Sequence, residues 1–126
     1  AQRVEDHTVA PRPLLLWQAI DESIIDMPTN DYWARVFGAG LAQPFHHEAE
    51  GLQTFALPTS DNFSWATGGD SATRMLMQAP MNEIESVDRH GDLILQDYAQ
   101  DLSAHCFTTF LSTGSCEVID TGFGDH

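Results

Sequence analysis

Residues 44–51 are Pro44-Phe45-His46-His47-Glu48-Ala49-Glu50-Gly51, and the hydrophobic pattern of the chain changes across them. Before this junction, apolar residues recur at the spacing of amphipathic helices. After it, short runs rich in β-forming residues alternate with turn residues. The change of period predicts an α+β fold, in which an N-terminal helical hairpin packs on a small antiparallel sheet.

The first helix of the hairpin is predicted from Pro13 to about Asp26, because proline is well placed in a first helical turn. Residues 1–12 end among prolines, which predicts an N-terminal arm. Residues 13–126 are then expected to form a single globular domain, since the chain length of 126 residues is usual for one domain. The apolar stripe of this helix comprises Leu16, Trp17, Ile20, Ile24 and Met27.

The second helix is predicted to begin at a cap formed by Thr29 or Asn30 and to continue until Pro44 ends it. Gly38 and Gly40 each weaken a helix by about 1 kcal/mol relative to alanine. We therefore expect either close packing against these glycines or an early end to the helix. The apolar stripe comprises Trp33, Val36, Phe37, Gly40 and Leu41.

Beyond the junction, residues 52–57 and 63–67 are predicted strands separated by turn residues. Residues 71–78 fit a strand or a helix equally well, because short apolar runs do not distinguish the two. A further helix is predicted over residues 93–112, with Gly114 as its C-terminal cap. An alternative divides this segment into a helix to about Ser103 and a strand from His105. Because residues 71–114 can all be helical, an all-α fold is the alternative architecture.

The charge balance excludes several classes of partner. Nineteen acidic residues face five arginines and no lysine, for a formal net charge of −14. Nucleic acid is excluded as a partner because the chain has no basic stripe to displace counterions from phosphates. No apolar run approaches the roughly 20 residues that span a bilayer, so we expect a soluble protein without membrane insertion. Cationic partners or metal ions fit the charge better.

The two cysteines, Cys106 and Cys116, are separated by a short segment that contains Gly114. If the protein is exported, this spacing predicts a disulfide. In the cytosol, two separate thiols would be expected. An exported or extracellular location is the favoured interpretation.

The junction holds the densest group of ligating and proton-transferring side chains. His46, His47 and Glu50 place imidazoles beside a carboxylate in either an extended or a helical conformation. Such a group is the minimum for acid–base catalysis or for part of a metal site. A divalent metal would need a further ligand, such as His90 or His105. The spacing matches no established motif, and a solvated polar loop is the simpler interpretation.

These observations favour a non-catalytic acidic binding or assembly protein that acts as a subunit or partner of a larger complex. A protein partner or homo-oligomer is expected. The first alternative is a small enzyme with a metal or acid–base site on His46, His47 and Glu50, completed by His105. The second is a carrier of an apolar small ligand, bound among the aromatic and methionine side chains.

Overall fold

A computed structural model of the chain describes residues 10–20, 27–65, 69–81 and 92–126. Helices and strands are both present, which confirms the α+β class and shows that the all-α alternative is wrong. Among the described residues, no helix combines the length and the apolar character needed to cross a membrane. The elements are β1 (Leu14–Ala19), α1 (Met27–Val36), β2 (Gly40–Ala42), β3 (Thr54–Phe55), β4 (Phe63–Ser64), β5 (Ser71–Ala72), β6 (Arg74–Ala79), α2 (Asp97–Thr113) and a C-terminal 3-10 helix (Phe123–Asp125).

The main sheet has four strands in the order β1-β6-β2-β3, and all its neighbouring strands are parallel. The main sheet is therefore parallel and not antiparallel as predicted, whereas a small antiparallel sheet is present as the β4–β5 pair. All six residues of the central strand β6 are buried. Such burial is typical of a parallel sheet, since its strands carry packed layers on both faces.

The two faces of the sheet are covered by different helices. On one face, Met75 and Met77 of β6 belong to a buried cluster with Leu102 and Cys106 of α2. On the opposite face, Leu76 packs in a cluster with Ala34 of α1. Successive side chains of a strand point to opposite faces, so β6 contributes to both clusters.

The first predicted helix is wrong where the structure describes it, because residues 14–19 form strand β1. Leu14 to Ala19 pair in register with Arg74 to Ala79 of β6. This pairing across 60 positions of sequence overrides the helical spacing of the apolar residues. The rest of the predicted helix, residues 21–26, lies outside the described residues, and the helical hairpin is replaced by a strand followed by α1.

The second predicted helix exists but is shorter than expected. It ends at Val36, and Gly40 and Leu41 of its predicted stripe belong to β2 instead. Both expectations for the glycines are confirmed. Gly38 has a positive φ of 69°, and a Cβ added to it would lie 2.7 Å from the ring of Phe63. The helix therefore ends where the chain needs a glycine.

A helix in the last third is confirmed as α2, which begins at Asp97, four residues later than predicted, and is continuous to Thr113. The alternative strand from His105 is wrong because the helical hydrogen bonds continue to a left-handed cap at Gly114, whose N–H donates to the Phe110 carbonyl. Cys106 and Cys116 form a disulfide that links α2 to the segment that follows it. In that segment, Val118 forms an isolated antiparallel bridge with Thr59.

The ambiguous residues 71–78 are strands, as one of the two alternatives predicted. Most of the predicted arm lies outside the described residues, as does His90. In the part of the arm that is described, Pro11 is buried and the carbonyl of Arg12 accepts a hydrogen bond from Arg74 Nε at 3.2 Å.

Arg74 begins the central strand as a buried cation that is 3% exposed. Its guanidinium lies 4.1 Å from the centre of the Phe63 ring and 5.5 Å from that of Trp65. Its Nη1 donates to the carbonyl of Phe37 at 3.1 Å. The planar guanidinium thus joins the β4–β5 pair, the end of α1 and the start of β6 through hydrogen bonds and aromatic contacts.

Replacing Arg74 with lysine should lower the free energy of unfolding by about 2 kcal/mol, because an ammonium group cannot keep both hydrogen bonds and the planar stacking. Urea denaturation measures this loss. Arg35→Lys is the matched control, since Arg35 is exposed and makes one described hydrogen bond, to the carbonyl of Glu50. Equal losses for the two variants would contradict a special role for Arg74.

Candidate functional site

Three segments converge at the carboxyl edge of the parallel sheet. Gln18 and Gln78 lie opposite each other near the ends of β1 and β6. The loop after β2 carries His46 and His47, and α1 brings Asp31 to the same place. In open sheets of parallel strands, ligands bind outside the carboxyl ends of the strands. The position therefore identifies this edge as the candidate site.

The side chain of Gln78 organises the edge. Its Oε1 accepts from the backbone N–H groups of His46 and His47, both at 2.9 Å. Its Nε2 donates to Gln18 Oε1 at 2.9 Å and to the carbonyl of His47 at 2.6 Å. These bonds use both acceptor and both donor positions of the amide, so this fully buried group is completely satisfied.

The hydrogen bonds continue from Gln18 to close a ring. Gln18 Nε2 donates to Asp31 Oδ1 at 3.3 Å, and the other oxygen, Oδ2, lies 2.9 Å from His47 Nε2. The backbone N–H of His47 donates to Gln78 Oε1, and this hydrogen bond closes the ring. Both the main chain and the imidazole of His47 are thus fixed by the same set of buried polar groups.

The ring determines which nitrogen of His47 is available for chemistry. A carboxylate only accepts hydrogen bonds, so the contact with Asp31 places the proton of the neutral imidazole on Nε2. The lone pair then lies on Nδ1. The His47 side chain is 36% exposed, whereas the Asp31 side chain is 9% exposed. A solvent-accessible base is therefore held by a buried carboxylate.

A second histidine–carboxylate pair provides an internal comparison. His105 Nε2 lies 2.8 Å from Glu117 Oε1, and the His105 side chain is 34% exposed, close to the value for His47. The Glu117 side chain, however, is 45% exposed. Exposed ion pairs of this kind contribute about 0–1 kcal/mol and fix little. Burial of the carboxylate distinguishes the His47 pair from the His105 pair.

The predicted site residues His46, His47 and Glu50 contact different partners in the structure. The carboxylate that contacts the His47 ring belongs to Asp31 and not, as predicted, to Glu50. The backbone carbonyl of Glu50 accepts a hydrogen bond from Arg35. His46 Nε2 donates instead to the carbonyl of Gly124 at 2.8 Å. Within residues 10–20, 27–65, 69–81 and 92–126, no three His, Cys, Asp or Glu side chains come together in a way that could hold a metal ion.

Sequence reasoning did not identify Asp31, Gln18 or Gln78. Asp31 lies 16 positions before His47 inside a helical pattern, where an acid is expected to face solvent. A signal for the glutamines was present, since β1 and β6 both end in Gln-Ala at equivalent positions of an apolar run. Two buried polar residues at the same register of two paired strands indicate a shared hydrogen-bonded site.

The aromatic residues expected around an apolar ligand belong to separate clusters. Trp17 packs edge-on against Phe123, and Phe63 packs against Trp65. A cavity of about 510 Å³ lies elsewhere, lined in part by Arg12, Asp61 and Phe110. The clusters fit a packing role better than a ligand-carrier role.

Comparisons with models of protein families, with curated proteins and with solved structures found no match.

Replacing Gln78 with leucine should lower the free energy of unfolding by about 3 kcal/mol or more, because it removes the partners of several buried polar groups at once. Chemical denaturation measures the change. Gln53→Leu is the matched control at an exposed glutamine and should change stability by less than about 0.5 kcal/mol. A Gln78→Leu variant as stable as Gln53→Leu would show that the ring is dispensable for folding.

Proposed function

We propose that the protein is a small enzyme in which His47 acts as a general acid–base, oriented by Asp31. The observation that carries this proposal is the closed ring of buried and partly buried hydrogen bonds, which fixes the His47 imidazole although its side chain is 36% exposed. A base held in one orientation at the carboxyl edge of a parallel sheet fits the usual position of catalytic groups.

In the proposed mechanism, Nδ1 of His47 takes a proton from a bound water or substrate hydroxyl. The imidazole becomes a cation, and the Asp31 carboxylate, 2.9 Å from Nε2, stabilises that charge. The deprotonated oxygen attacks the carbonyl carbon of the substrate, and His47 returns the proton to the leaving oxygen as its bond to that carbon breaks. Because Gln18 holds the other oxygen of Asp31, the carboxylate does not need to reorient during the cycle.

The charge of the protein favours a neutral or cationic substrate. The formal net charge is −14, and Glu48 and Glu50 lie one and three positions after His47 in the sequence. A phosphorylated or otherwise polyanionic substrate would be repelled by this field. The disulfide between Cys106 and Cys116 supports an oxidising compartment, so an exported enzyme is part of the proposal.

A purely structural role for the ring is the competing explanation, since the same bonds attach the loop after β2 to the sheet. The two roles differ in what they require of His47. Attachment of the loop uses its backbone N–H and carbonyl, which bond to Gln78. Catalysis uses its imidazole and the carboxylate of Asp31. Substitutions of these two side chains therefore separate the explanations.

His47→Gln should reduce the hydrolysis of a neutral chromogenic ester, such as p-nitrophenyl acetate, by about a hundredfold in kcat/KM, because it removes the general base. Asp31→Asn should cause a similar loss. The amide would donate to Nε2 and move the imidazole proton to Nδ1, which leaves no lone pair there. Nitrogen NMR of the His47 ring should detect this change of tautomer without any substrate.

His105→Gln is the matched control, because His105 has nearly the same exposure and also pairs with a carboxylate. It should leave ester hydrolysis unchanged. Circular dichroism and thermal denaturation check that each variant is folded. If His47→Gln and His105→Gln hydrolyse the ester as fast as the wild type, general base catalysis by His47 is wrong for this class of substrate.

A further inference from the structure

The outer face of α2 carries large apolar side chains that no described part of the chain covers. Tyr98, Leu102 and other residues of the inner face are buried. Phe107, Phe110 and Leu111 are 63%, 40% and 68% exposed. At 3.6 residues per turn, these three side chains fall within an arc of about 100°, which we call the outer face. Adjacent exposed apolar residues of this size are typical of an interaction surface.

Acidic groups border the outer face. Asp97 and Asp101 are exposed on the N-terminal half of the same helix. Beyond its C-terminal half, the cavity of about 510 Å³ is lined by Phe110 together with Asp61, Asp70 and Arg12. Two acidic residues and one arginine thus line the cavity. An occupant would meet apolar surface in the centre and negative charge at both ends.

The charge argues against a second copy of this chain as the occupant. Each copy carries a formal net charge of −14 and no lysine, so two outer faces would bring like charges together. A partner with apolar residues along one side and basic residues beside them would gain both burial and charge attraction. An amphipathic helix has this pattern and fits a surface formed by one helix.

We propose that the outer face of α2 binds a basic amphipathic helix of a partner protein. Apolar side chains of the partner pack against Phe107 and Leu111, and a basic side chain enters the cavity towards Asp61 and Asp70. The surface involves none of the residues of the hydrogen-bonded ring. This inference therefore holds or fails independently of the proposed enzyme activity.

The probe for this surface is a synthetic helical peptide of about 18 residues, with leucines at the spacing of one helical face and arginines beside them. Titration by fluorescence anisotropy should show binding that weakens as salt is added. The double variant Phe107→Ser, Leu111→Ser should weaken binding at least about tenfold, because it removes the central apolar contacts. A peptide with glutamates in place of the arginines should also bind at least about tenfold more weakly.

Ile94→Ser is the matched control, since Ile94 is 65% exposed and lies outside α2. It should bind the arginine peptide like the wild type. Circular dichroism confirms that the double variant is folded. Equal affinity of the double variant and the wild type would overturn the proposal. Sedimentation that detects a wild-type dimer, converted to a monomer by the double variant, would assign the face to a second copy instead and would also overturn it.

Discussion

The buried amide of Gln78 determines how three parts of the chain meet. It lies on the central strand β6, where its oxygen accepts from two consecutive backbone N–H groups of the loop after β2. Its nitrogen donates to Gln18 on the neighbouring strand and back to the loop. Leaving a buried polar group unpaired costs about 1–3 kcal/mol, so none of these partners can move away without loss. The loop, and His47 within it, are consequently fixed to the sheet.

The parallel direction of the strands allows these side chains to meet at one edge of the sheet. Parallel neighbours end at the same edge, so Gln18 and Gln78 occupy equivalent positions of β1 and β6 and point to the same face. The helix that follows β1 covers that face and brings Asp31 within reach of both Gln18 and His47. With antiparallel neighbours, the carboxyl ends would lie at opposite edges, and the three segments could not converge.

The fold could be predicted from the sequence only where local signals were decisive. Gly38 and Gly40 made an early end of α1 one of two expectations, and α2 followed from its stripe and its glycine cap. Strand β1 could not be predicted in this way, since its apolar residues fit a helix and its partner lies 60 positions away. The site, likewise, could be predicted only in part. Adjacent histidines indicated the loop, but the carboxylate that orients His47 comes from a helix whose path depends on the sheet.

The composition of the carboxyl edge is difficult to explain by stability alone. A buried carboxylate and two buried amides replace what could be apolar side chains on an otherwise apolar sheet. Burying a charged group carries a desolvation cost that its hydrogen bonds largely offset, and apolar replacements of similar volume are often as stable or more stable. A network that adds little net stability still restricts the positions of its members. Here the restricted member is the His47 imidazole, which is 36% exposed and whose fixed orientation is what the proposed proton transfer would use. Among the described residues, the pair of His105 and Glu117 shows no comparable ring of hydrogen bonds, and its carboxylate is 45% exposed.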